Sequence, residues 1–423
     1  MQTRLPDSLL ATPLGQEADA ILRSCVHCGF CNATCPTYQL LGDELDGPRG
    51  RIYLMKQMLE GRPVSALTRG HLDRCLTCRN CETTCPSGVQ YGRLIDLGRE
   101  MVERLAPRPA PERLMRAGLR KALANGTVFG TLLKVGRGMS WALPATLQGH
   151  IPPLQKGGRG DFASGSPLQA ADKSPPAPLL QKGASQRRML VLTGCVQPAL
   201  APETNTAAAR VLARLGIHLF AAPEAGCCGA IDQHLGAAET AKAAMRRNID
   251  AWWPHLEAGA EAIVMTASGC GSLVKEYGHL LRNDPAYAAK AARVSGLTRD
   301  LAEVLAREDL SAFRTERPRP IAFHPPCSLQ HGQKVRGVIE GILSAAGFQL
   351  LPVAESHLCC GSAGTYSLLQ PELSGQLRER KLAHLQAPGP ALIATANVGC
   401  QTHLAAASGV PVVHWIELLE PGG

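Results

Sequence analysis

The stretch Cys25-Val26-His27-Cys28-Gly29-Phe30-Cys31-Asn32-Ala33-Thr34-Cys35-Pro36 has a later counterpart, Cys75-Leu76-Thr77-Cys78-Arg79-Asn80-Cys81-Glu82-Thr83-Thr84-Cys85-Pro86. Both follow the spacing C-x2-C-x2-C-x3-C and end in proline, the bacterial pattern that carries two [4Fe-4S] clusters. Three thiolates two residues apart wrap one face of a cubane, and the fourth, carried into the following helix, reaches the other cubane. The expected ligand sets therefore cross. Cys25, Cys28, Cys31 and Cys85 are expected to hold one cluster, and Cys75, Cys78, Cys81 and Cys35 the other. Structural zinc is the alternative, but such sites normally use two C-x2-C pairs rather than a four-cysteine run closed by proline.

The spacer between the combs, Gly42 to Arg51, is long for a minimal two-cluster domain and leads into a helix expected over 52–60. Arg49 and Arg51 have two readings: donors near a cluster that raise its potential, or side chains of a solvated or interface loop. Farther out, a helical stretch is expected from Pro111 to about Trp141. The composition then turns rich in Gly, Pro, Ser and Lys, which reads as a flexible linker. Within it Pro153-Leu-Gln-Lys-Gly157 nearly recurs as Pro178-Leu-Leu-Gln-Lys-Gly183.

Beyond the linker, apolar runs alternate with amphipathic helical stretches, the signature of βαβ units. The run from Met189 leads to Cys195, the run Ile217 to Ala221 to Cys227-Cys228-Gly229, and the run Ala262 to Thr266 to Cys270. The pattern returns as Cys327, Cys359-Cys360-Gly361 and Cys400. In both copies 31 residues lie between the first cysteine and the pair, and a repeat at fixed spacing points to one unit used twice. Open parallel sheets bind ligands beyond the carboxyl ends of their strands, so each group of four cysteines is expected to converge. Cys195, Cys227, Cys228 and Cys270, with Cys327, Cys359, Cys360 and Cys400, are thus candidate ligands of a further cluster. The alternative is a docking module with buried or redox-sensitive thiols. His324, His357 and His403 flank the second set and are expected to pack or hydrogen-bond rather than ligate; Trp252, Trp253 and Trp415 are expected as core or interface anchors.

The expected fold class is α/β plus an α-rich ferredoxin-type domain. A helical two-cluster domain over 1–105, a connector over 106–150 and a linker over 151–188 precede two tandem, pseudo-symmetric modules with mostly parallel sheets, over 189–318 and 319–423. Length supports several domains. Sixteen cysteines without a signal-peptide core between Met1 and Gln16 argue against a secreted disulfide framework and for a reducing cytoplasm. No apolar run reaches bilayer length, so membrane contact is expected to be peripheral. The formal charge of +9 counts every cysteine as neutral, and no basic run with interleaved aromatics suggests nucleic acid. No dinucleotide or phosphate-binding loop and no nucleophile triad is apparent, so no catalytic residue is expected. Two-electron chemistry on an organic substrate then calls for a flavin on a partner polypeptide, with this chain relaying single electrons.

The stretch Cys25 to Arg51 resembles the iron-sulfur subunit of bacterial glycolate oxidase. So do Cys75 to Gly88, Glu224-Ala-Gly-Cys-Cys-Gly-Ala230, Thr266-Ala-Ser-Gly-Cys-Gly271, Ser356 to Tyr366 and Asn397 to His403. The resemblance implies a complex with FAD-binding subunits that oxidises glycolate to glyoxylate and passes electrons toward a quinone-side acceptor, peripheral on the inner membrane. Relatives of the duplicated module that hold non-cubane clusters carry a further cysteine in a terminal C-x2-C; Leu273 and His403 stand there in this chain. The iron-sulfur subunit of an anaerobic glycerol-3-phosphate dehydrogenase is similar in layout, though the Asp43 to Arg51 spacer fits the glycolate family better. A heterodisulfide-reductase-like thiol redox subunit is a further alternative.

Overall fold

A computed structural model describes residues 1–138, 187–315 and 318–420. The expected linker lies outside them as far as residue 186. In the N-terminal region four helices, Pro13–Ser24, Pro48–Leu59, Ala66–Asp73 and Tyr91–Leu105, close around Leu22, Ile52, Met55, Leu72, Leu94 and Ile95. Local sequence sets their starts. The Thr12 hydroxyl accepts the Gly15 N–H ahead of Pro13, and Ser65 accepts the Thr68 N–H, each satisfying a backbone donor that the helix itself leaves open.

Within the spacer the Asp46 carbonyl lies 3.7 Å from Cys35 Sγ, and Arg51 is neither solvated nor in direct contact with sulfur. Arg51 is 1% exposed. Its guanidinium donates to the His71 carbonyl at 2.7 Å, to Thr37 Oγ1 at 3.1 Å and to Asp46 Oδ1 at 3.3 Å. Burial opposes ionisation of Asp46, yet hydrogen bonds from Arg74 and His71 and the charge of Arg51 keep its pKa below the ordinary value. Thr37 in turn lies 3.3 Å from Cys35 Sγ, so Arg51 stands one hydroxyl away from a comb cysteine. Arg49 pairs with Glu44 instead.

The C-terminal half holds two four-stranded parallel sheets. In the first, β1 (Arg187–Val191), β2 (Ile217–Ala221), β3 (Ile263–Met265) and β4 (Thr298–Asp300) are ordered β2-β1-β3-β4. In the second, β5 (Pro320–His324), β6 (Gln349–Leu351), β7 (Leu392–Thr395) and β8 (Val412–His414) take the same order, β6-β5-β7-β8. One local expectation needs correcting. The first strand begins at Arg187 rather than Met189, because Arg187 and Arg188 continue the ladder opposite Ile217 and His218. The helical stretch expected from Pro111 is helical as far as residue 138, where the described residues end, and consists of two helices, Ala110–Ala124 and Gly126–Gly138. Asn125 leaves helical geometry at the break, and its side chain accepts the Val128 N–H at 3.1 Å, which favours a new start over continuation.

The two modules share one core. Val191, Leu219 and Val264 of the first sheet pack in the same apolar body as Ile321, Phe323 and Ala394 of the second and the buried Trp415. Trp252 is buried in the first module, whereas Trp253 lies against Lys290 and Arg293. Across the junction His414 Nε2 donates to the Thr266 carbonyl at 3.0 Å, while its Nδ1 accepts the Ile416 N–H. Burial lowers the His414 pKa from 6.5 to about 4. The unfolded chain therefore binds a proton that the folded chain refuses between those values, and stability falls as pH drops from about 6.5 toward 4. His414→Gln is expected to flatten the profile between pH 7 and pH 5 by on the order of 2 kcal/mol, measured by chemical denaturation at those two pH values; an unchanged slope would sink the assignment.

Candidate functional site

Each comb is bent by backbone that its sequence barely announces. His27 and Gly29 have φ of 60° and 86°, and the matching Thr77 and Arg79 have 53° and 59°. Left-handed geometry costs a non-glycine residue roughly 1–2 kcal/mol, and for β-branched Thr77 it is an outlier. The result is that three thiols of each comb turn to one side.

The fourth thiol of each comb lies with the other. Cys25, Cys28, Cys31 and Cys85 line one pocket, with Cys81 on its inner wall. Burial, then the neighbouring Cys25, Cys85 and Cys28, pushes the Cys31 thiol up to about 11. Burial likewise raises Cys78 and Cys81, and Cys35 and Cys75 are the near neighbours of both. Four thiols so placed repel one another as thiolates, and a bound cation or cluster relieves that repulsion. The donor chemistry thus fits iron-sulfur clusters. Polar hydrogens also reach the sulfurs: the Thr77 N–H lies 3.4 Å from Cys75 Sγ and the Tyr91 hydroxyl 3.7 Å from it.

In the modules, each cysteine follows the carboxyl end of one of three adjacent strands. The strand order reverses between β1 and β3, and between β5 and β7, which is where open α/β sheets form their crevice. Cys195, Cys227, Cys228 and Cys270 lie in sequence beside one another, each acting on the next thiol's ionisation. The second module repeats the chain: Cys327 and Cys359 sulfurs are 3.8 Å apart, followed by Cys360 and Cys400. Gly229 and Gly361 both have φ of 92° and direct their N–H groups at the Cys227 and Cys359 sulfurs, each at 3.4 Å. All eight module cysteines line one cavity of about 730 Å³, together with Cys75 and Cys78 of the second comb. Cys78 counts both Cys327 and Cys359 among its electrostatic neighbours, and Leu76, Tyr366 and Leu377 pack around them.

The flanking histidines separate. The His324 ring lies with Cys360 and Cys400. His403 Nε2 meets Ser374 Oγ at 3.3 Å. His357 contributes its carbonyl, which accepts from Asn80 Nδ2 at 3.3 Å and His331 Nε2 at 2.9 Å. Sequence reasoning missed this seam between comb and modules. Thr83 Oγ1 lies 3.0 Å from His331 Nδ1, and Arg79 and Arg93 both donate to Glu276, at 3.2 and 2.9 Å. Burial opposes ionisation of Glu276, but the two arginines keep its pKa lowered. None of these residues stands in a recognisable spacing, so only the fold reveals them.

A helical domain with interleaved cysteine combs, set against paired cysteine-bearing parallel sheets, defines an iron-sulfur protein of the electron-transfer class. A 4Fe-4S dicluster domain model matches residues 21–89, and a cysteine-rich domain model matches 189–275 and 321–405. The chain is 54% identical over 420 residues to the glycolate oxidase iron-sulfur subunit of Escherichia coli (strain K12), covering 99% of this chain and 98% of that one. It is 31% identical over 410 residues to a "Probable glycolate oxidase iron-sulfur subunit" of Bacillus subtilis (strain 168), covering 90% and 87%. Lactate utilization protein A of Bacillus licheniformis matches 53% of this chain and 95% of its own length at 27% identity. The chain belongs to the family of glycolate oxidase iron-sulfur subunits.

A Cβ added at Gly361 would lie 2.6 Å from the Ser374 carbonyl oxygen, whereas one at Gly216, also at positive φ, meets nothing within 4 Å. Gly216→Ala is expected to cost about 1 kcal/mol of backbone strain and Gly361→Ala on the order of 3 kcal/mol. Paired thermal melts check the difference, and equal melting temperatures would contradict it.

Proposed function

We propose that this chain is the electron-transfer subunit of a flavin-dependent glycolate oxidase complex, with two [4Fe-4S] clusters held by Cys25, Cys28, Cys31 and Cys85 and by Cys75, Cys78, Cys81 and Cys35. The observation that carries the ligand sets is the exchange of fourth cysteines between the two combs. Bound there, the clusters would take up and release single electrons, matching a two-electron flavin on a partner subunit to a quinone-side acceptor. The substrate, glycolate going to glyoxylate, comes from the family relationship; no residue of this chain is assigned to touch it.

The chain's own residues set a direction from surface to interior. Cys28 is exposed, and Val26 and Phe30 beside it are 67% and 62% exposed. Cys78, by contrast, is turned toward Cys327 and Cys359. In this reading Val26 and Phe30 form the apolar rim through which electrons cross to or from a partner, and the cysteine-rich modules, proposed over 189–318 and 319–423, hold further iron-sulfur ligands. No described helix is long and apolar enough to cross a membrane; a peripheral position at the inner membrane is part of the proposal.

Iron and sulfide analysis of the anaerobically purified chain separates the readings. About eight irons confine clusters to the combs, and about twelve or more extend them to the modules. Cys28→Ser with Cys78→Ser is expected to abolish both reduced-cluster EPR signals; persistence of either refutes the ligand sets. A complex that reduces dye with glycerol-3-phosphate but not glycolate refutes the substrate. Phe30→Glu is expected to leave iron content unchanged while slowing electron exchange with the partner at least tenfold, and full exchange rates would remove the rim from the route.

A further inference from the structure

The two cysteine-rich modules share a topology but differ in what stands beside their thiols. Three residues before the first cysteine the first module has Leu192 and the second His324; three residues after the last cysteine they have Leu273 and His403. Leu192 and Leu273 are buried in the apolar core of their module. His324 is 1% exposed, and neither of its ring nitrogens has a hydrogen-bond partner among the described residues. A ring nitrogen of His324 and the sulfurs of Cys360 and Cys400 all lie within 4.8 Å of one another.

The surrounding polar groups are already engaged elsewhere. Lys381 donates to the Glu355 carbonyl at 2.6 Å, His403 meets Ser374, and Thr395 Oγ1 donates to the backbone carbonyl of His324 rather than to its ring. A buried polar group with no partner costs roughly 1–3 kcal/mol, and coordination by one ring nitrogen removes that penalty. Two thiolates and an imidazole at this separation are the donor set of borderline-soft ions such as iron and zinc.

We propose that the second module binds its metal through a mixed nitrogen and sulfur set, with His324 as a ligand beside Cys360 and Cys400, while the first module offers thiolates alone. Cys359, which adjoins Cys360, offers a further thiolate. The inference rests on the reading that the modules bind metal. It makes the two copies chemically unequal: a set of His324, Cys359, Cys360 and Cys400, with Cys327 outside it, carries one negative charge fewer than the four thiolates of the first module, and in iron-sulfur centres an imidazole in place of a thiolate raises the potential. The copy facing Cys78 through Cys327 and Cys359 would therefore be the better electron acceptor of the two.

The test uses the full chain, purified anaerobically, with iron and zinc counted per chain in the wild type, His324→Leu, His324→Cys and Cys360→Ser. His324→Leu reproduces the residue of the first module, and it is expected to lose the same metal equivalent as Cys360→Ser while keeping the metal of the combs. His324→Cys is expected to restore it. Nitrogen coordination is read on the wild type itself, by 15N-histidine pulsed EPR for an iron centre or by X-ray absorption at the zinc edge, so the result does not hang on a variant folding. Extra metal in the wild type that His324→Leu retains in full, or that shows no histidine nitrogen, overturns the inference and leaves the module reading intact. A wild type holding only the roughly eight irons of the combs overturns both.

Discussion

Repulsion between buried thiolates is the constraint on which this molecule is built. Each sulfur group collects four cysteines in a space where burial alone already raises the thiol pKa, as it does at Cys31, Cys78 and Cys81. Such a group is stable when a bound centre compensates the charge, and much of the surrounding architecture keeps the sulfurs converged. The left-handed residues of the combs, the positive-φ glycines after each cysteine pair and the backbone N–H groups directed at sulfur all act toward that end.

The same constraint explains why the N-terminal domain sits where it does. A comb on an isolated domain would lack the neighbours Cys327 and Cys359 that Cys78 meets here. Cys75 and Cys78 close one end of the cavity into which both modules direct their thiols. The seam is held by polar contacts at its margin, Glu276 with Arg79 and Arg93 and the chain from Thr83 through His331 to the His357 carbonyl. Leu76, Tyr366 and Leu377 pack beside the sulfurs of Cys78, Cys327 and Cys359. Fixed apolar packing beside the sulfurs suits single-electron transfer, because little of the protein there must reorganise when charge arrives.

What was legible in the sequence was whatever spacing alone specifies. The combs set the helical domain, and the 31-residue interval revealed the duplication; the strands Ile217–Ala221 and Leu392–Thr395 could be read from short, largely apolar runs. The misses have tertiary causes. Arg187 and Arg188 read as linker because charged residues seldom open a buried strand, yet Glu261 and Glu308 pair with Arg187 from neighbouring segments. Thr77 and Arg79 carry no sign of their left-handed backbone, unlike Gly29. Arg51 stayed open between a donor near a cluster and a solvated side chain because Asp46, Thr37 and the His71 carbonyl, which bury it, come from three separate segments. His324 was grouped with His357 and His403, yet of the three rings it is the one that lies among the cysteine sulfurs without a hydrogen-bond partner among the described residues.

The common core beneath the two sheets has a consequence for how the duplication could be inherited. With Val191 and Val264 packed in one body with Ile321, Phe323 and Trp415, neither copy presents a finished surface of its own, and a chain cut between them would expose the apolar face of both. The copies are therefore bound to be kept or lost as one cooperative unit. Under that bond their scaffolds stay alike, down to the strand order, and divergence is channelled into the few side chains at the mouth, where leucine in one copy can become histidine in the other without disturbing the fold that joins them.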